Sequence, residues 1–114
     1  MKVSEMKDLA LAWAVAQCEG YRGIESLTKP DPLDDGALEH RWLREYSPPT
    51  NWSQGGPIIE RENIEIFIRD EKWFAYSSNS TPEDFYGETP LVAAMRCYVA
   101  SVLGDEVDVP EELQ

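Results

Sequence analysis

Basic residues are scarce in this chain. Ten Lys and Arg stand against 22 Asp and Glu, for a formal charge of -12 at pH 7. Phosphate backbones are held by clustered Lys and Arg, so direct nucleic-acid binding is excluded. Anionic membrane surfaces should repel the chain as well. Histidine occurs once, at His40, and cysteine twice, at Cys18 and Cys97. A zinc site needs about four His, Cys or carboxylate ligands, and no stretch matches a calcium loop. No metal or cofactor is therefore expected. Both cysteines fall in apolar helical patterns, which reads as buried thiols in a reducing cytoplasm. Long hydrophobic runs are also missing. The run from Leu9 to Ala16 falls far short of the ~20 residues that span a bilayer. The acids Glu5 and Asp8 before it argue against a secretion signal. In a cytoplasmic protein the sequons at Asn51 and Asn79 carry no meaning. There is no repeat and no linker, so residues 1–114 read as one domain with an acidic tail from about 105.

What is present suffices for one core: 42% of residues are hydrophobic and 11% aromatic. Ser4 can cap a helix running to about Glu19, with Gly20 as its stop. Met6, Leu9, Trp13 and Ala16 share one face, and Leu11, Val15 and Cys18 another, so the helix should be largely buried. A short strand from Ile24 to Leu27 is followed by a loop from Thr28 to Gly36. The stretch from His40 to Tyr46 fits a strand or a short helix. Prolines and glycines between Ser47 and Pro57 predict an irregular loop. Ile64, Ile66 and Ile68 alternate with Glu65, Phe67 and Arg69, the period of a strand. Asp70 and Glu71 turn the chain, and Lys72 to Ser77 reads as the returning strand. Phe74 and Tyr76 then lie on one face, Trp73 and Ala75 on the other. Ser77 to Glu88 reads as a polar loop. Thr89 caps a second helix with Pro90 in its first turn and Gly104 as its end. A hairpin alone is marginal in water. The economical fold is α+β: a small antiparallel sheet of about three to five strands with two helices packed on one face.

The run YSPPTNWSQGGPIIERE from Tyr46, a tryptophan strand, and TPLVAAMRCYVASVLGDEVDVPEEL resemble the phage NinX-like family of small tailed-phage and prophage proteins. The opening LALAWAVAQCEGY is similar to the family's start. The residues between Ile24 and Glu45 carry little of the likeness. The resemblance implies a phage origin and the cytoplasm of a bacterial host. It brings no activity and no catalytic residues.

The residues themselves show no catalytic motif. Cys97 sits beside Arg96 in an apolar helix, where a packed thiol is expected rather than a nucleophile paired with His40. Gly55–Pro57 lacks the Gly-Lys-Ser ending of a phosphate loop and reads as a tight turn into the core. Glu60 and Glu62 read as a solvated strand edge. A non-enzymatic protein is expected. The aromatic loop from Tyr46 to Glu60 is the candidate site. Tyr46 and Trp52 offer planes for a flat heterocycle, and Asn51 and Gln54 offer hydrogen bonds. Arg41 and Arg44 just before it could meet a phosphate. The ligand would be nucleotide-like, such as a host defence signal, and a homo-oligomer with sites between subunits would suit it. The competing reading is that the loop is structural, its aromatics pinning it to the sheet. A different class of function is an acidic inhibitor of a host or phage protein. It would imitate nucleic acid, with the tail from Asp105 to Glu112 contributing, although strong net charge also serves solubility alone.

Overall fold

The computed structural model describes residues 1–20, 46–77 and 84–114. The expectations for 24–27, 28–36 and 40–45, and for 78–83 of the polar loop, lie outside these residues. Helix α1 is Asp8–Cys18 and helix α2 is Trp52–Glu62. The strands are β1, Glu65–Arg69, β2, Lys72–Tyr76, and β3, Phe85–Gly87. Helix α3 is Pro90–Leu103. Short 3-10 turns occupy Val3–Glu5 and Glu111–Leu113.

The fold is α+β, as expected. The strands form one antiparallel sheet in the order β1-β2-β3. Helix α3 lies on all three strands, and α1 and α2 pack against α3. The alternation read from the sequence sets the sheet's faces. Ile66 pairs with Ala75 and Ile68 with Trp73, while Phe67 pairs with Phe74 on the opposite face. Asp70 and Glu71 both take positive φ, 53° and 65°, as a two-residue hairpin turn demands. The chain between Ser77 and Glu88 is not all loop. Phe85–Gly87 pairs with β2, and Phe85 and Gly87 are buried.

Helix α3 begins as its sequence dictates. The Thr89 side chain accepts from the Val92 amide at 3.1 Å, and Pro90 sits in the first turn. Eight consecutive positions are less regular in type than in burial: Ala93 through Ala100 are all buried, Arg96 among them. Gly87 makes the close approach of β3 possible. A Cβ there would lie 2.3 Å from the Ala93 nitrogen.

Helix α1 starts later than the Ser4 cap predicts. Ser4 lies in the Val3–Glu5 turn, no side chain caps α1, and Asp8 takes a φ of 52°. The reason is tertiary. In a helix starting at Ser4 the Met6 carbonyl would serve the Ala10 amide; here it accepts from Arg96 Nε at 2.7 Å. Val3 and Met6 are fully buried, which also turns this segment inward. The acidic tail is laid against it. Val3 N–H donates to the Asp105 carbonyl and Val107 N–H to that of Met1, both at 2.9 Å. Val109 and Leu113 enter the core.

The largest correction concerns 52–62. The predicted irregular loop is helix α2, with Gly55, Gly56 and Pro57 inside it. Glu60 and Glu62 are therefore helical rather than a strand edge, and the glycines make no turn. Asn51 caps the helix by accepting from Ser53 N–H at 2.9 Å. A proline in a helix interior costs about 3 kcal/mol. Here the carbonyl left without its helical donor is that of Ser53, an exposed residue. Against that cost stand the buried Ile58 and the flanking Ile64, worth roughly 1.5–3 kcal/mol each. Asn63 closes the helix in the left-handed conformation, φ 53°, and aims the chain into β1.

Gly55 has a specific task. A Cβ on it would lie 2.5 Å from the Pro48 carbonyl oxygen and 2.7 Å from Leu91 Cδ2, whereas nothing lies within 4 Å of one on Gly56. Alanine is the better helix former by about 1 kcal/mol, so the two glycines should respond with opposite sign. Gly56→Ala is expected to stabilise by up to about 1 kcal/mol. Gly55→Ala is expected to destabilise by about 1–3 kcal/mol through overpacking. Urea unfolding midpoints of the two variants check both signs.

Candidate functional site

Helix α2 reorganises the candidate site. Asn51 Oδ1 serves the Ser53 amide and also accepts from Ser53 Oγ. Gln54 Oε1 accepts from Ser47 N–H across the turn 47–50. Ser47 Oγ and Thr50 Oγ1 hydrogen-bond at 2.6 Å. Asn51 and Gln54, read as ligand contacts, are thus engaged in holding the backbone of their own segment. Tyr46 is half-buried at the entrance to the turn. Arg41 and Arg44 lie outside the described residues.

Trp52 is placed differently. It is 56% exposed at the first position of α2. Its indole borders a groove of about 230 Å³, whose other walls are Pro49, Thr50 and the start of α3 from Thr89 to Val92. The groove thus sits where the N-termini of α2 and α3 come together. Helix N-termini carry a partial positive charge and favour anionic groups nearby. The walls are otherwise mostly apolar. Ligand pockets for whole drug-sized molecules run to roughly 300–1,000 Å³. This groove admits a single flat ring with its substituents outside. Tyr46, Asn51 and Gln54 do not line it.

Sequence reasoning singled out Trp52 but not the wall that faces it. Thr89 and Pro90 carry a helix-start signal, and nothing local says that this helix start faces another. A larger cleft of about 340 Å³ lies between the N-terminal segment and Leu113 and Gln114. It has no aromatic wall and only one helix start, at Asp8, so the Trp52 groove is the better candidate for a planar ligand.

A second polar cluster joins the three helices. Arg61 donates to Glu19 through Nη1 at 3.1 Å and Nη2 at 2.7 Å. The Tyr98 hydroxyl donates to Glu19 Oε2 at 2.6 Å and accepts from Arg61 Nη2 at 3.1 Å. Burial works against the Glu19 carboxylate, yet hydrogen bonds from Arg61 and Tyr98 and the guanidinium charge hold its pKa below the ordinary range. Burial and the neighbouring Glu19 push the Tyr98 hydroxyl up. Burial and Glu19 likewise push the Cys18 thiol up to about 12, so it is inert at neutral pH. Cys97 is fully buried, as expected for a packing thiol. Among the described residues no group of His, Cys, Asp or Glu could hold a metal ion. Nor is any of their helices long and apolar enough to cross a membrane.

Fold and site together define a small α+β domain with an aromatic groove between two helix starts. The chain belongs to the family described as Bacteriophage P22, NinX, whose model matches residues 2–102. The match runs through 24–45, where the sequence showed little likeness, and stops short of the tail. No curated protein matches the chain.

The Glu19 cluster sets a pH dependence. A carboxyl whose folded pKa is depressed adds stability above its unfolded pKa, about 4.3 for glutamate, and loses it as pH falls through the folded value. Arg61 is half exposed, so solvent keeps the ion pair's share to about 1 kcal/mol or less. Glu19→Gln is expected to lower stability at pH 7 by roughly that amount. The gap from wild type should close as pH drops below the ordinary carboxylate range. Urea unfolding from pH 7 to pH 3 checks this, and a gap that persists in acid would contradict it.

Proposed function

We propose that this phage protein is a non-enzymatic binder of a nucleotide-like small molecule, acting in the cytoplasm of the bacterial host. A single base stacks on Trp52 in the groove against the first turn of α3. The ligand's anionic part lies toward the paired helix starts, with Arg41 and Arg44 as the sequence's candidates for a phosphate. The observation that carries this reading is the half-exposed indole at a groove where two helix N-termini meet. Planar rings gain from stacking on an indole, and anions gain from helix N-termini. The groove's size favours recognition of one base rather than enclosure of a whole dinucleotide. A host defence messenger such as a cyclic dinucleotide is the ligand class a phage would gain by sequestering.

A second reading is an acidic inhibitor that imitates nucleic acid toward a basic host or phage protein. The anchoring of the tail favours it, because Val109 and Leu113 hold the exposed acids Asp105, Glu106, Asp108 and Glu111 in place. The two readings separate by variant. Replacing those four acids by Asn or Gln should spare ligand binding and weaken a protein complex.

Calorimetry of the full chain against mononucleotides and cyclic dinucleotides tests the first reading. Trp52→Ala should weaken the binding found by roughly 5- to 150-fold, the worth of one base stack. Because Trp52 is exposed, its removal should leave stability within about 1 kcal/mol of wild type. Absence of heat with every member of the panel, or equal affinity in Trp52→Ala, would reject the reading.

A further inference from the structure

The sheet has a second face, opposite α3. Its middle row is Phe67, Phe74 and Tyr86, adjacent in the strand register. The phenyl rings of Phe67 and Phe74 stack at 5.7 Å and 13°, and Phe74 meets Tyr86 at 6.0 Å. Among the described residues none of the three belongs to the hydrophobic core or packs against it; Phe67 and Phe74 are half-buried and Tyr86 is 43% exposed. At one end of the row stand two cations. The Arg69 guanidinium lies 5.1 Å and 5.3 Å from the Phe67 and Phe74 ring centres, and Lys72 Nζ lies 5.6 Å from that of Tyr86. At the other end, the paired Glu65 and Tyr76 share the same face.

We propose that this face is an interface with a second copy of the chain, packed face to face about a two-fold axis along the Phe67–Phe74–Tyr86 row. The argument is charge complementarity. Rotation about that axis lays the aromatic row on its own copy and reverses the strands. Glu65 then meets the second copy's Arg69, and Tyr76 meets the second copy's Lys72. Each contact occurs twice by symmetry. Arg69 exchanges its long contact with Asp84, 3.6 Å, for Glu65 across the interface. A chain of net charge -12 repels itself elsewhere, so association needs a face on which opposite signs coincide. A polyanion gains little here, because two cations face the charge of the whole molecule. Strand spacing and rise make the face about 14 by 17 Å. That is small beside the roughly 800 Å² per partner of a standard interface, so the dimer is weak and exchanges rapidly.

Sedimentation velocity of the full chain from about 10 μM to about 1 mM, the range suited to a weak interface, tests the proposal. Wild type should move from monomer toward dimer. The variant with Arg69→Glu and Lys72→Glu, and separately Glu65→Lys, should each self-associate at least about tenfold more weakly, since like charges then meet. Mixing the two variants in equal amounts should restore a dimer, because each then meets the opposite sign. Near-UV circular dichroism confirms that both variants remain folded. Phe74→Ser gives a further variant with the ring row broken and the charges intact, and it too should be monomeric. The proposal is overturned by a wild type that stays monomeric to 1 mM. It is also overturned by folded charge variants that dimerise alone as strongly as wild type or fail to pair when mixed. Association seen only when oligothymidylate is added would overturn it in favour of a single-stranded nucleic acid.

Discussion

Arg96 stands in the middle of α3 with its guanidinium buried, and the rest of the fold is arranged around that fact. Its Nε donates to the Met6 carbonyl at 2.7 Å and its Nη1 to the Tyr86 carbonyl at 2.8 Å. One side chain thereby ties the central helix to the N-terminal segment and to the third strand. Burial lowers its pKa, and the nearby Glu88 and Tyr86 act electrostatically the other way. Among the described residues no carboxylate forms an ion pair with it. Burying a charge costs several kcal/mol, and each hydrogen bond to a charged group returns about 1.5–3 kcal/mol. The balance is helped because the Met6 carbonyl, buried at this contact, takes its bond from the guanidinium, while the bond to the Tyr86 carbonyl is only partly buried.

The same contact reaches the candidate site. Tyr86 leads through Gly87 and Glu88 to Thr89, where α3 begins and the groove wall starts. Fixing the Tyr86 carbonyl fixes that approach. On the other side, Gly55 lets α2 close on Pro48 and Leu91, while Glu19, Arg61 and Tyr98 clamp the far ends of the helices. The aromatic segment is thus framed from both ends. Its amide side chains hold its own backbone, and its tryptophan remains turned outward. Structural and binding roles are divided among neighbouring residues of one segment.

Local patterns were legible. Thr89 and Pro90 gave the start of α3 and Gly104 its end. The alternating isoleucines gave β1, and the faces of β2 followed. The α+β class came from the need of a hairpin and two apolar helices for each other. What escaped depended on contacts distant in sequence. Gly55, Gly56 and Pro57 read as breakers because no local rule reveals that Pro48 and Leu91 require a residue without Cβ. A counter-signal was present: Asn51 followed three positions later by Gln54 is the spacing of a capped helix start. Ser4 failed as a cap because a side chain 92 positions later takes the carbonyl that such a helix would use. Phe85–Gly87 is too short to show a period. Trp52 stood out for its type and setting, whereas the wall facing it comes from another element.

If Arg96 is the tie described, its geometry matters as well as its charge. Lysine keeps the charge but ends in a single compact ammonium, which is not a planar fork able to serve two separated carbonyls. The unfolding free energy of Arg96→Lys in urea is the most direct test. A loss of about 1–3 kcal/mol is expected, because one of the two carbonyls loses its donor. Stability equal to wild type would contradict the account and place the organising contact of the fold elsewhere.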